Sequence, residues 1–275
     1  MIDQIPLAGV IGSPIAHSRS PVLFNHWLRV HGIRGHYVPL HINQADLRDT
    51  LPMLPKMGFV GINVTIPHKE TVLTMADVIT DRAALIGAAN TLTFRQGKIY
   101  ADNTDGYGFI ANLRQAAPDW DAKQGPAAIL GAGGASRAVI HSLIELGVVD
   151  IRLSNRSRTR AEALRKEFGP KITVYEWVQA GNMLEGAATV VNTTSLGMAG
   201  KPEFRVPLDG LEPGCVVSDL VYTPLHTVLL QEAGAMGCRV VDGLGMLLHQ
   251  ATPGFERWFG AEPTVDQATR KVVLG

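Results

Sequence analysis

The segment AAILGAGGASRAV, residues 127–139, places Gly131, Gly133 and Ser136 where an apolar strand gives way to a helix. The first glycine permits a tight turn, and the second lets the backbone come close to a pyrophosphate. The helix that follows offers free N–H groups and the positive end of its dipole. Phosphates would then rest on the backbone of Gly131, Ala132, Gly133, Gly134 and Ala135. Ser136 stands where a small Gly or Ala is usual, so the helix is expected slightly farther from the strand. About 20 residues beyond such a turn, a dinucleotide site carries an acid when it reads a free ribose 2′-hydroxyl. Here Asn155 occupies that place, followed by Arg156, Ser157, Arg158, Thr159 and Arg160, while Asp150 lies at the wrong end of the strand. An acid would repel a 2′-phosphate; guanidinium groups bind one well. Each charge-assisted hydrogen bond contributes roughly 1.5–3 kcal/mol, so two arginines favour the phosphorylated cofactor by tenfold or more. Asn155, Arg156, Ser157 and Arg160 therefore point to NADP, and the chain reads as an oxidoreductase.

Four polar clusters supply the other half of a site: GSPIAHSRSP (12–21), NVTIPHK (63–69), GAANT (87–91) and DNTDG (102–106). Singly, each has an ordinary explanation. Ser20 before Pro21 could cap a helix, Asn90 could serve a turn, and Lys69 could be an exposed helix-start lysine. Together they lie at strand ends, where open α/β sheets bind their ligands. His17, His68 and His249 flank these motifs without metal-like spacing to Cys or acid, so packing or surface roles are expected and no metal is implied.

The elements that must position these groups alternate along the chain. Leu7–Gly12, His36–Ile42 and Gly61–Thr65 read as strands, with helices expected over Pro21–His31, Gln44–Leu54 and His68–Ala76. Ala88–Phe94 and Lys98–Ala101 resemble a hairpin, and a helix is expected from Gly106 to about Ala116. After the loop PDWDAKQGP a second series begins: Ala127–Gly131, Ile151–Ser154, Ile172–Tyr175, Thr189–Asn192, Val216–Asp219 and Arg239–Val241. A long helix, about Leu244 to Trp258, and a last one near Val265–Val273 complete the pattern. The expectation is two α/β units in tandem, the second a doubly wound, Rossmann-type parallel sheet.

Composition agrees with such a protein. The chain has 275 residues, 46% of them hydrophobic, and 25 basic residues balance 25 acidic ones. That balance argues against nucleic acid or an anionic membrane as a partner. Apolar runs break before the roughly 20 residues a membrane helix needs. Cys215 and Cys238 lie in apolar strand-like runs and read as core residues rather than a disulfide framework. No leader-like segment opens the chain, and a cytoplasmic location is expected.

The four clusters, together with NRSRTRAEAL, NTTSLGM, DLVYTPLHTVLL and DGLGMLLHQA in order along the whole chain, resemble the shikimate dehydrogenase family. The resemblance implies NADPH-dependent reduction of 3-dehydroshikimate to shikimate, a step of aromatic amino-acid biosynthesis on the way to chorismate. It implies that Ser18 and Ser20 bind the substrate carboxylate with help from Tyr222, and that Asn63, Thr65, Lys69, Asn90, Asp105 and Gln250 meet the ring hydroxyls. Lys69 would act as proton donor and acceptor, with Asp105 orienting it; Thr194, Leu220 and Gly243 would flank the nicotinamide. Gln250 in this role implies that the C-terminal helices return to the first domain. The expected division is 1–105 with 245–275 for a mixed-sheet substrate domain and 106–244 for the NADP domain. The small-molecule substrate would be handled by a monomer or homodimer. A quinate/shikimate dehydrogenase, a non-catalytic NADP or metabolite sensor, and a folate-linked dehydrogenase of similar shape stand as alternatives. Ser20, where quinate-accepting relatives often carry threonine, and the arginines after Asn155 lean toward shikimate and NADP. A sensor could lose Lys69 or Asp105 without losing affinity, and both are present.

Overall fold

Short, largely apolar runs form parallel strands at Leu7–Gly12 (β1), His36–His41 (β2) and Phe59–Val64 (β3), with helix Ser20–Val30 (α1) between the first two. In the computed structural model, which describes residues 5–275, the chain divides into two units: one runs to Asp105 and takes in Leu247–Gly275, and the other is Gly106–Met246. The first unit continues through Leu47–Thr50 (α2), Val78–Ile79 (β4), Asp81–Ile86 (α3) and the antiparallel hairpin Thr91–Arg95 (β5) with Lys98–Asp102 (β6). Its sheet order is β2-β1-β3-β5-β6-β4, a mixed sheet.

Two expected helices take a different form. Gln44–Leu54 yields only the single turn α2, followed by 3-10 turns at Leu51–Met53 and Pro55–Met57. Pro52 and Pro55 cannot donate to a helical ladder, so the chain tightens into short pieces. His68–Ala76 becomes a 3-10 turn over Thr71–Met75. Thr71, Val72 and Thr74 are β-branched and resist a regular helix. Asp77 N–H then bonds Ile99 O at 2.9 Å, which draws the chain into β4.

The second unit opens with Asp105–Ala116 (α4), whose first residue still belongs to the first unit. It proceeds through Ala127–Leu130 (β7), Gly134–Glu145 (α5), Ile151–Ser154 (β8), Arg158–Phe168 (α6), Ile172–Tyr175 (β9), Thr189–Asn192 (β10), Val216–Asp219 (β11), Val228–Ala235 (α7) and Arg239–Val241 (β12). All its strand pairs are parallel, in the doubly wound order β12-β11-β10-β7-β8-β9. The central strands β7, β10 and β11 are buried at every position because both faces are covered. Ala127, Ile129, Val191 and Val216 enter one core with Leu113, Val139 and Leu143, whereas Ala128, Leu130, Val190 and Val217 enter another with Met183, Leu229 and Ala233. The two-residue period of a strand sends successive side chains to opposite layers.

Gly243–Phe259 (α8) and Gln267–Leu274 (α9) end the chain, and from Leu247 onward they belong to the first unit. There Phe255 and Trp258 pack beside Phe24, which stacks on Tyr37 with ring centroids 3.9 Å apart. The Trp258 indole N–H donates to Thr93 Oγ1 at 3.1 Å, pinning α8 across the hairpin.

Candidate active site

The sheet of the first unit brings its four polar clusters to one edge. β1, β3 and β6 all end there, and antiparallel β5 begins there: Ile11 lies beside Val64, Asn63 beside Thr91, and Thr91 beside Asp102. Backbone bonds continue across the gap between clusters, with Thr65 N–H on Ile11 O (3.0 Å), Val64 N–H on Asn90 O (2.8 Å) and Asn90 N–H on Asp102 O (3.1 Å). Residues far apart in sequence thus become neighbours because their strands are neighbours.

Lys69 Nζ forms an ion pair with Asp105 Oδ2, with side-chain exposures of 16% and 6%. An ammonium carries three hydrogens, and Asp105 is its one hydrogen-bond partner among the described residues, so two remain for another acceptor. The Asn90 amide donates to the other Asp105 oxygen at 2.8 Å and to Gln250 Oε1 at 2.9 Å. Asn90 Oδ1 accepts from the Thr104 N–H at 2.8 Å and from Thr91 Oγ1 at 2.9 Å. Thr104 Oγ1 also donates to Gln250 O at 2.8 Å, which ties α8 to the same cluster. Asn63 Nδ2 donates to Asn90 O at 3.1 Å, so its oxygen is the end that faces Tyr37, whose hydroxyl donates to it at 2.7 Å. Burial pushes the Tyr37 phenol well above its usual range, only partly offset by the Ser20 side chain, which keeps that donor protonated.

Around this cluster, Thr65 is half-buried and Ser20 is buried at the first turn of α1. Arg19, not Ser20, occupies the cap position, and Ser18 Oγ accepts the Ser20 N–H at 3.4 Å. His68 is fully buried, with Nε2 on Ile42 O at 2.7 Å, and His17 is exposed. Burial, with a smaller contribution from Arg270, lowers the His249 pKa. No group of side chains with metal-ligand character occurs among the described residues.

Beside the cluster, Asp102 is almost fully buried under Arg82 and Arg257, with Thr80 donating at 2.9 Å. Burial alone would raise its pKa, but the two guanidiniums and Thr80 outweigh it and hold the carboxyl well below the usual range.

In the second unit the glycine turn sits at the C-terminal ends of β7 and β10, where the strand order reverses. Gly131 has φ +109°, and a Cβ there would come within 2.5 Å of Thr193 Oγ1. Glycine is required on both counts. A Cβ on Gly133 would meet nothing within 4 Å, and no side chain caps α5, so Gly133 and the first N–H groups of α5 border open space. Ser136 is fully buried and turns its hydroxyl onto Gly133 O at 2.7 Å, so its extra oxygen closes the turn on itself. Asn155 Oδ1 accepts the Ala132 N–H at 3.1 Å and its amide donates to Ser157 O at 2.8 Å, linking the glycine turn to the basic segment. Arg158 is taken up by Glu176 and Glu162. Arg156 and Arg160 are exposed and carry no ion pair among the described residues, which leaves both free for a phosphate. An open N–H cradle with two available guanidiniums fits a phosphorylated dinucleotide.

Thr194 is held by Asn192, and Gly243 packs directly against the Leu220 carbonyl. Tyr222 is half-buried on the loop after β11. Tyr37, Thr91, Thr104, Asn192 and Asp219 lie inside the strands and motifs legible in the sequence but, Thr104 apart, nothing local marks them as site residues. A signal existed for Thr104, inside DNTDG, whereas Tyr37 is an unremarkable aromatic in a strand until the sheet places it beside Asn63.

Family models match the chain in three places. They are a shikimate dehydrogenase substrate-binding domain over residues 10–92, a shikimate/quinate 5-dehydrogenase over 113–198 and a shikimate 5′-dehydrogenase C-terminal domain over 243–273. A Cereibacter sphaeroides protein named shikimate dehydrogenase (NADP(+)) is 70% identical over 272 residues, covering 98% of each chain. The Thermus thermophilus shikimate 5-dehydrogenase, solved with NADP(H) and shikimate, superposes with a TM-score of 0.86 at 34% identity, covering 98% of each chain. A Corynebacterium glutamicum quinate dehydrogenase solved with NAD gives 0.90 at 30% identity over 98% of this chain and 99% of its own.

Proposed function

The chain belongs to the shikimate dehydrogenase family, and from that premise we propose that it catalyses the reversible, NADPH-dependent reduction of 3-dehydroshikimate to shikimate. It is an oxidoreductase acting on a CH–OH group, in aromatic amino-acid biosynthesis. The observation that carries the mechanism is the Lys69–Asp105 pair, half-buried, fixed from behind by Asn90, and with two ammonium hydrogens left to give.

Bound NADPH supplies the hydride that reduces the ring ketone. As the ketone oxygen gains charge, Lys69 donates a hydrogen bond and then a proton to it. Asp105 keeps the ammonium aimed and pairs its charge; Asn90 keeps Asp105 from turning away. In the reverse direction the same lysine accepts the proton from the alcohol. Ser18 and Ser20 bind the substrate carboxylate as neutral donors. Asn63, Thr65, Asn90 and Gln250 read the ring hydroxyls, and Asn63 does so as an acceptor because its amide hydrogens face Asn90 O.

On the cofactor side, the backbone from Gly131 to Ala135 takes the pyrophosphate, Asn155 and Ser157 the ribose, and Arg156 and Arg160 the 2′-phosphate. Thr194, Leu220 and Gly243 flank the nicotinamide. The likeness to the quinate enzyme shows that the fold is shared between the two substrates; Ser20 and the two unpaired arginines support shikimate and NADP. No helix among the described residues is long and apolar enough to cross a membrane. Two buried free thiols support a reducing, cytoplasmic setting, with the enzyme working as a monomer or homodimer.

Initial rates with shikimate and quinate, each against NADP and NAD, test this reading. Shikimate with NADP should give the highest kcat/KM. Quinate with NAD as the best pair would overturn the substrate and cofactor assignment, and no turnover with any pair would leave a binding protein.

A further inference from the structure

In the second unit one fully buried carboxylate has no part in the roles above. Asp219 is the last residue of β11, fully buried, and lies opposite Asn192 of β10 in the sheet. Among the described residues, three donors hydrogen-bond to it. Asn192 Nδ2 at 2.9 Å and Val221 N–H at 3.0 Å reach Oδ1, and Thr227 Oγ1 reaches Oδ2 at 2.7 Å. Burial pushes this carboxyl above its ordinary range, and Thr227, the Val221 N–H and Asn192 oppose that rise. An apolar residue would fill the place at lower desolvation cost, so the carboxylate must serve something besides packing.

What it serves is visible in its partners. Because a carboxylate only accepts, the NH2 end of Asn192 must face Asp219, and this leaves Asn192 Oδ1 pointing the other way. That oxygen takes both the Thr194 N–H (3.0 Å) and the Thr194 hydroxyl (2.7 Å), and Thr194 Oγ1 in turn accepts the Leu196 N–H at 3.0 Å. On its other side Asp219 holds the first turn of the loop that carries Leu220 and Tyr222, and through Thr227 it reaches the cap of α7. The two loops are further joined by Ala199 N–H on Thr223 O at 2.9 Å.

We infer that Asp219 is a positioning residue for hydride transfer, setting the orientation of Asn192 and thereby the placement of Thr194 and Leu220. The inference rests on the functional reading above, which puts these two residues at the nicotinamide. Misplacement by about an ångström can cost a reacting pair as much as ~100-fold, so a relay of this kind acts on the rate of the chemical step. It leaves the phosphate end of the cofactor alone, because there Asn155 links the glycine turn, at Ala132 N–H, to the backbone of the arginine segment, at Ser157 O.

Asp219→Asn tests this in the full-length enzyme. The variant keeps size and shape but replaces the charged acceptor with an amide that can itself donate, so the Asn192 NH2 end loses its 2.9 Å carboxylate partner and keeps only the longer 3.3 Å bond to Leu196 O. The expected result is a fall in kcat of about tenfold or more, with the affinity for 2′,5′-ADP, which probes only the phosphate end, within about twofold of wild type. Unchanged kcat, with or without a lower melting temperature, would overturn the inference, as would a parallel loss of kcat and 2′,5′-ADP binding. If Asp219→Asn does not fold, the pair Thr227→Val and Thr227→Ser replaces it. Valine should lower kcat by about threefold or more and serine should restore it, whereas equal kcat in both would overturn the inference. A wild-type enzyme inactive on 3-dehydroshikimate with NADPH would sink the functional reading itself. An active wild type with an unaffected Asp219→Asn sinks only the role of Asp219.

Discussion

In the first unit Asn63, Asn90, Thr91, Thr104, Asp105 and Gln250 bond largely to one another, while in the second the glycine turn and Arg156 and Arg160 have few protein partners. The difference follows from what each unit must hold. A small polyhydroxylated ring offers little area, so it must be read by acceptors and donors already fixed in place, at the cost of burying a polar network that must stay fully satisfied. A dinucleotide brings its own charge and length, so N–H groups and guanidiniums that stay solvated until it arrives are enough. Substitutions in the first unit should therefore strike kcat and stability together, and those in the second should strike cofactor affinity and selectivity.

The most severe break of this contrast is Lys69→Ala. Its kcat should fall well over ~100-fold, the scale of positioned proton transfer, while NADP affinity stays near wild type. Near-normal kcat in steady-state assays would remove Lys69 from the mechanism. Next in size is the double change Arg156→Ala with Arg160→Ala. Loss of two charge-assisted contacts should raise the KM for NADP by about tenfold or more and leave that for NAD within about twofold. Equal effects on both cofactors would show that these arginines do not read the 2′-phosphate.

Asp102→Ala should lower folding stability by roughly 2 kcal/mol, below the usual cost of breaking a buried pair because both arginine partners reach solvent. Here the sign can be worked out. The folded-state pKa of Asp102 is depressed, so its contribution is present above the unfolded-state value near 3.8 and is lost as pH falls through the folded one. Chemical denaturation at neutral pH and under acid should show the wild-type advantage over the alanine variant shrinking as pH drops; a pH-independent difference would contradict it. The smallest effect belongs to Arg158→Ala, whose guanidinium is already occupied by Glu162 and Glu176. Its KM for NADP should stay within about twofold of wild type, and a change as large as that of the double variant would erase the distinction among the three arginines.

Legibility also differed between the units. The second unit's strands were readable almost residue by residue, because a parallel sheet covered on both faces favours continuous apolar runs such as AAIL. The first unit's helices at Gln44–Leu54 and His68–Ala76 were not. Pro52, Pro55 and the β-branched Thr71, Val72 and Thr74 were visible, but their cost depends on competing contacts such as Asp77 with Ile99. β4 and α3 were missed for a related reason: two residues of strand and six of helix carry too short a period to register. The tertiary arrangement also sorted the basic segment, since nothing in NRSRTR says that Arg158 is spent on Glu176 while Arg156 and Arg160 are not.

By itself, the sequence determined the chemistry on offer: a glycine turn before a helix, arginines in place of an acid, and a lysine and an aspartate among polar strand ends. It could do so because these signals are local, each written in one short stretch. Only the tertiary structure decided how those groups are oriented. The direction of the Asn63 amide depends on Asn90 O, that of Asn192 on Asp219, and the aim of Lys69 on Asp105 and Asn90. Each depends on a partner from another strand or loop, and a hydrogen bond's direction is a property of the pair, not of either residue alone.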